Sequence, residues 1–391
     1  MVDVVPGRGL GSRATMKDVA ARHYVNHSSS PPCTPGGRPS DGSEITLSPQ
    51  DTEADNCRQE RKFSVRSRRP RRKLPTLSSR RIAVLGENLV DLLVAGDGSV
   101  NAVIGGGPLN VARTIARLGG EAHFVSGISS DAFGMLIRQS LSESGVVVSL
   151  PGARDEPTTL AVVELSPAGP RYHFHLDATA AFALEAQPTT AALAQVAPLG
   201  AMYFGTLGLL VEPMASLGEA IVMSCDDETL VVIDPNCRPS AIRGHVEYRA
   251  RVARLCSRAD VVKVSTEDLA YLYPDVPVPE AARAVANLGA RTVIVTDGAS
   301  PVRVLGAGFD LTLEVAPTEV VDTVGAGDAL VGGFLAWWTQ QGLGRDQVGD
   351  AATVRAAVAA AIEISRLTCQ RAGAQPPRRS DVVALEGWRR A

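Results

Sequence analysis

Asp322-Thr323-Val324-Gly325-Ala326-Gly327-Asp328-Ala329-Leu330 is the stretch on which the reading of this 391-residue chain turns. It follows two β-branched residues, Val320 and Val321, and opens a helix-like run from Ala329 to Trp338. That spacing puts Gly325-Ala326-Gly327 at a helix N-terminus. Backbone N–H groups there are unpaired and the helix dipole is positive, so the turn is a ready anion site. Small residues let a phosphoryl group come close to the backbone. Asp328 then places a carboxylate where an anion would bind, which makes chemical sense if it takes a proton from a hydroxyl. An anion cradle beside a general base is what phosphoryl transfer to an alcohol requires. On Gly-Ala-Gly alone, a glycine-rich helix cap with an acidic residue favouring the dipole would be the plainer reading. A second acidic residue, Asp322, and a partner motif far upstream decide against it.

That partner is Gly105-Gly106-Gly107-Pro108-Leu109-Asn110-Val111-Ala112-Arg113. Together the two segments resemble the N- and C-terminal signatures of the ribokinase-like (PfkB-type) carbohydrate kinases, the first resembling that family's GGxPxNVA pattern. The resemblance runs from about Arg81 to Pro377. It takes in Gly86-Glu87-Asn88-Leu89-Val90-Asp91, Asp234-Pro235-Asn236-Cys237-Arg238-Pro239 and Arg371-Ala372-Gly373-Ala374-Gln375-Pro376. Any one of these is weak; together, in the family's order, they are specific. The resemblance implies an ATP-dependent sugar kinase.

Composition is that of an ordinary globular protein with ample material for a large core: 45% hydrophobic, 21% charged, 37 Gly and 25 Pro. Charge is uneven, with 16 Lys+Arg against 8 Asp+Glu in residues 1–81 and 23 against 34 in the remainder. An acidic core does not suit nucleic acid, which is not expected as a partner. No apolar run reaches the roughly 18 residues a membrane span needs, so no membrane association is expected. The six cysteines, at 33, 57, 225, 237, 256 and 369, show no C-x-x-C spacing. Reduced thiols in the cytoplasm are the simplest account.

Residues 1–80, rich in Pro, Ser, Gly and Arg, read as a disordered extension that cannot bury enough apolar surface to offset its ordering entropy. Within it, 14–28 resembles the first helix and turn of lactose-repressor-type helix-turn-helix domains. Ser28-Ser29-Ser30-Pro31-Pro32 replaces a recognition helix, so the fragment reads as vestigial. From Arg81 the pattern changes. Runs at Ile82–Leu85, His123–Ser126, Met202–Phe204, Leu230–Ile233, Val261–Val264 and Thr292–Thr296 alternate with helical stretches such as Leu109–Leu118 and Phe133–Ser144. This pattern predicts a doubly wound, mostly parallel α/β sheet flanked by helices. Residues 158–176 read as a hairpin around Pro167-Ala168-Gly169-Pro170. With residues 89–104 they are expected to form a small antiparallel β lid, which in the resembling family covers the sugar.

In a doubly wound sheet, ligands gather at the carboxyl ends of the strands, and Asp91, Asp234, Asn236, Ser265, Asp268, Thr296 and Asp297-Gly298 fall near such ends. Two other kinase chemistries are excluded. The only lysines are 17, 62, 73 and 263, none in a Walker A loop, and no histidine begins H-R-D. His173 and His175 share a strand face but lack a third ligand, and read as ordinary strand residues.

The resemblance implies roles residue by residue. Asp91, Gly106 and Asn110, with Asp328, would bind the sugar. Asp328 would be the base, and the amides of Gly325, Ala326 and Gly327 would stabilise the transferring phosphoryl. Ser265, Asp268, Thr296, Gly298 and Gly327 would line the ATP site. Asp322, Val324, Thr368 and Gly373 stand where family members coordinate a monovalent cation such as K⁺. Mg²⁺ would arrive with ATP. The chain departs from the family's N-x-x-E element, reading Ser265-Thr266-Glu267-Asp268, and carries Pro377 where ribokinases have a hydroxyl residue. Gly107 stands where ribokinases have Lys. That spelling, with Asp234-Pro235-Asn236-x-Arg238, leans towards fructokinases, leaving ribokinase or another sugar or nucleoside kinase as the alternative. A rival of another class is a sugar-sensing regulator whose tail binds DNA. The expected partners are a free sugar and ATP, and a homodimer is the assembly to test for.

Overall fold

The runs of β-branched residues become strands because both of their faces are covered. The computed structural model describes residues 80–166 and 169–388. The expected disordered extension, its fragment at 14–28 and the turn residues Pro167 and Ala168 lie outside the described residues.

The chain enters through β1 (Arg81–Leu85) and at once builds two strands of a separate sheet, β2 (Leu89–Val94) and β3 (Val100–Gly105). Helix α1 (Gly107–Arg117), β4 (Glu121–Val125), α2 (Ala132–Ser144) and the short β5 (Val147–Val148) follow. A hairpin of β6 (Leu160–Ser166) and β7 (Gly169–His175) returns to the small sheet. Next come α3 (Ala186–Val196), β8 (Ala201–Gly205), α4 (Met214–Met223), β9 (Leu230–Asp234), α5 (His245–Arg258) and β10 (Val261–Ser265). The remainder is α6 (Thr266–Leu272), α7 (Val278–Asn287), β11 (Thr292–Thr296), β12 (Val302–Gly306), β13 (Phe309–Leu313), α8 (Ala326–Gln340), α9 (Ala351–Cys369) and α10 (Arg379–Val382).

Among the described residues the large sheet has nine strands in the order β13-β12-β11-β10-β9-β8-β1-β4-β5. It is parallel from β11 to β5, and the β12–β13 hairpin extends it antiparallel. The chain leaves β1 towards β4 and later resumes on its other side at β8. The switch point therefore lies between β1 and β8, and a crevice is expected at their carboxyl ends. Alternate residues of β1 feed two apolar layers. Ile82 and Val84 pack with α1, α8 and α9; Ala83 and Leu85 pack with α4, α5 and α7.

The small sheet has the order β3-β2-β6-β7. Two antiparallel hairpins, β2–β3 and β6–β7, are joined by a parallel pairing of β2 with β6. Register puts Val103, Asp91, Ala161 and Phe174 in one row across it. His173 lies 3.3 Å from Glu164, and no cluster of three or more metal-ligating side chains occurs among the described residues. None of the described helices is long and apolar enough to cross a membrane.

Candidate active site

The N-terminus of α8 is where the expected constellation assembles. Gly325 is the cap, with φ 76°, a left-handed conformation that glycine adopts without steric cost. A Cβ there would stand 2.6 Å from the Cβ of Ala374, so space requires glycine as well. Asp328 is in the first turn and is buried. Its Oδ2 accepts a hydrogen bond from Asn110 Nδ2 at 3.0 Å, tying α8 to α1. Asn110 Oδ1 is buried and has no hydrogen-bond partner among the described residues, so it is an unsatisfied acceptor. A hydroxyl donor would complete it.

Burial raises the Asp328 carboxyl above the ordinary aspartate value, while Asn110, Lys263 and Arg238 pull it back. A base shifted towards neutrality suits proton abstraction. Asp91 lies within strand β2 of the small sheet, inside the 89–104 segment expected to form strands. Burial pushes it up to about 6, against the charge of Arg238 and with that of Asp328. Its Oδ2 lies only 2.3 Å from where a Cβ on Gly105 would stand. Gly106, with φ 111°, leaves no room for a side chain against the backbone of Glu87. Asp91, Gly106, Asn110 and Asp328 thus converge on one space.

Of the three amides expected to cradle phosphate, Ala326 N is committed to Thr323 O at 3.2 Å. Among the described residues, the amides of Gly325 and Gly327 have no backbone acceptor. Those two amides are open, and beside them lies a residue the sequence reading passed over, Lys263. Its Nζ lies 3.2 Å from where a Cβ on Gly327 would stand and 3.3 Å from Asp234 Oδ2. Burial works against this ammonium, but Asp234, Asp268 and Asp328 hold it above the usual lysine value, so it stays charged. The signal for it was there: a lysine inside Val261-Val262-Lys263-Val264-Ser265, a strand buried on both faces, must have carboxylate partners.

One expectation needs correction. Asp268, expected at the ATP site, has both carboxylate oxygens engaged by backbone amides. Its Oδ2 accepts from Ser265 N at 2.7 Å and its Oδ1 from Cys237 N at 2.6 Å, and the side chain is buried. With Ser265 Oγ accepting from Asp268 N at 3.0 Å, the pair is a capping box for α6. Ser265 and Thr296 do stand side by side, as register partners at the sheet's carboxyl edge, with Gly298 just beyond. Of the donors expected for a monovalent cation, Asp322 and Thr368 already take part in hydrogen bonds within the protein. Asp322 accepts from Val324 N at 3.0 Å and from Gly373 N at 2.9 Å, so its carboxylate is a clamp between two loops. Thr368 Oγ1 donates to Ile364 O at 2.8 Å, and its carbonyl accepts from Arg371 N.

A second clamp holds the segment just past Gly373 to α1. The Arg113 guanidinium donates to Ala374 O, Gln375 Oε1 and Ser144 Oγ, each at 3.3 Å. A cavity of about 460 Å³, lined by Phe174, Leu209, Ile242 and Tyr248 among others, opens beside the lid. It contains none of the carboxylates above, so the polar groups locate the chemistry and that volume does not.

Residues 80–381 match the family model described as pfkB family carbohydrate kinase. A fructokinase of Rhizobium leguminosarum bv. trifolii is 31% identical over 259 residues, covering 65% of this chain and 78% of the relative. Among solved structures, the fructokinase with bound ATP from Xylella fastidiosa superposes with TM-score 0.72 at 26% identity, covering 78% of this chain and 98% of that one. The fructokinase from Vibrio cholerae O395 in its fructose-, ADP- and calcium-bound form gives TM-score 0.65 at 27% identity, covering 76% and 95%.

Proposed function

The chain belongs to the pfkB family of carbohydrate kinases, and from that premise we propose that it transfers the γ-phosphoryl group of ATP to a hydroxymethyl group of fructose or a closely related ketose. One observation carries the mechanism: Asp328 is buried in the first turn of α8, held by Asn110, whose other polar atom has no hydrogen-bond partner among the described residues. The acceptor's hydroxyl gives its proton to Asp328 while its oxygen forms the new bond to the γ-phosphorus. The bond from that phosphorus to the bridging oxygen breaks, and ADP leaves. The amides of Gly325 and Gly327 and the ammonium of Lys263 face the charge on the transferring group. Asp91 and Asn110 Oδ1 accept hydrogen bonds from the sugar's other hydroxyls. Thr296 and Gly298 line the nucleotide. A metal ion, Mg²⁺ in our reading, offsets phosphate charge when it arrives with ATP.

Gly107 and the Asp234-Pro235-Asn236-x-Arg238 segment support the ketose, as do the fructokinases that the chain resembles. Free cysteines at 225, 237, 256 and 369 support a reducing, cytoplasmic setting. The lid's edge strand β3, with Val100 exposed, supports a homodimer, which sedimentation would test. The deciding experiment is ATP consumption with a panel of sugars. We expect fructose to give a higher kcat/KM than ribose, adenosine or fructose 6-phosphate. Ribose or adenosine ahead of every ketohexose would overturn the substrate assignment.

A further inference from the structure

Thr206 raises a question that the mechanism leaves open. It follows β8 at the switch-point crevice, is buried, and has φ 57°. A β-branched residue in the left-handed region costs on the order of 1–3 kcal/mol. Glycine would occupy that backbone without strain, so the threonine side chain must contribute something in return.

Its two branches have separate partners. The hydroxyl donates to Oε1 of Glu87, a fully buried carboxylate just past β1, whose Oε2 accepts from Gly208 N at 3.1 Å. Glu87 therefore grips both ends of the turn that Thr206 opens. With the hydroxyl pinned, the methyl points at the sugar loop. A Cβ built on Gly107 would lie 2.6 Å from Thr206 Cγ2 and 3.3 Å from Asp328 Oδ1. Gly107 is helical and not at positive φ, so it is glycine for space alone. The Thr206 methyl and the Asp328 carboxylate are thus the two walls of a narrow gap floored by Gly107.

We propose that Thr206, held by Glu87, is a specificity-determining residue. Its methyl narrows the gap facing Asp328 so that an unbranched hydroxymethyl carbon enters and a carbon bearing a further substituent does not. The enzyme then selects primary over secondary alcohols by shape. This inference rests on the reading of Asp328 as the base at the acceptor site.

The test is a compensation experiment with purified full-length enzyme. Gly107→Ala should lower kcat/KM for fructose by about tenfold or more, the scale on which one methyl group discriminates in a tight pocket. KM for ATP should hold. Adding Thr206→Ser, which keeps the hydroxyl for Glu87 and removes the methyl, should restore most of the loss. Thr206→Ser alone should raise kcat/KM for fructose methylated at the reacting hydroxymethyl carbon, relative to fructose itself. Glu87→Gln, which loses one of two acceptors, should raise the KM for the sugar and leave that for ATP unchanged. Thermal melts of each variant separate these effects from misfolding. Gly107→Ala as active as wild type, a double variant no better than the single one, or an unchanged acceptor ratio in Thr206→Ser would overturn the proposal. Failure of wild type on every ketose would instead remove the substrate reading, and the same compensation would then be measured with the best acceptor found.

Discussion

Asp328 combines two properties that oppose each other in water: it is a carboxylate, and it is buried with an amide and two cations as its only relief. Asp328→Asn keeps the size and the contact with Asn110 but cannot take a proton. Loss of a general base costs about 10²–10⁴ in rate, so kcat should fall by that much while both KM values stay within a few-fold. Turnover close to wild type would remove Asp328 from the mechanism. The pH dependence has a fixed sign. The base works ionised, and its pKa is raised, so kcat should decline on acidification at a higher pH than an ordinary aspartate would allow. Asp91, raised to about 6, should add its own limb: below that pH it becomes neutral and the sugar KM should climb. A flat sugar KM between pH 7 and 5 (a window of about one unit on either side of that value) would separate Asp91 from the sugar. At this scale the sequence misled once, at Asp268. A carboxylate three residues after Ser265 fits a phosphate-site motif and a capping box equally well, because both use the same helical spacing.

Helix α8 sits between α1 and α9, and two glycines make that packing close. A Cβ on Gly332 would meet Thr114 Cβ at 2.6 Å, and one on Gly333 would meet Ile364 Cγ1 at 3.0 Å. Since α8 carries Asp328 and α1 carries Asn110, the spacing of these helices sets the contact that holds the proposed base. Gly332→Ala should therefore destabilise the fold by about 1–3 kcal/mol, as overpacking does, and lower kcat through a loosened Asn110–Asp328 contact. Chemical denaturation and kinetics would check both, and an unperturbed melting curve would contradict the packing account. The parallel strands were legible because burial on both faces turns them into continuous apolar runs, as in Leu230–Ile233. The β12–β13 hairpin was not. Its partners are edge neighbours, and residues such as Asp310, paired with Arg303, read as loop. Lys263 was missed for a related reason: the carboxylates that justify a buried ammonium come from three other elements, which spacing along the chain does not bring together.

Across the whole molecule, every residue of the candidate site lies between Glu87 and Gly373. Deleting residues 1–78 should leave the melting temperature and the kinase activity of the remainder close to those of the full chain. An insoluble or inactive product would give that segment a structural role. The clamps at Asp322–Gly373 and Arg113–Gln375 also bear on biosynthesis. A ribosome delivers Asp91, the sugar loop and Arg113 early, and the segment that fixes them last, since the two ends of the Arg113–Gln375 bond are 262 residues apart. Contacts of such sequence separation form slowly, and before they form the anion turn has nothing to brace it. In our reading a nascent or stalled chain would therefore carry the proposed base, Asp328, without being able to use it, and ATP turnover would begin only after translation has passed the last clamp.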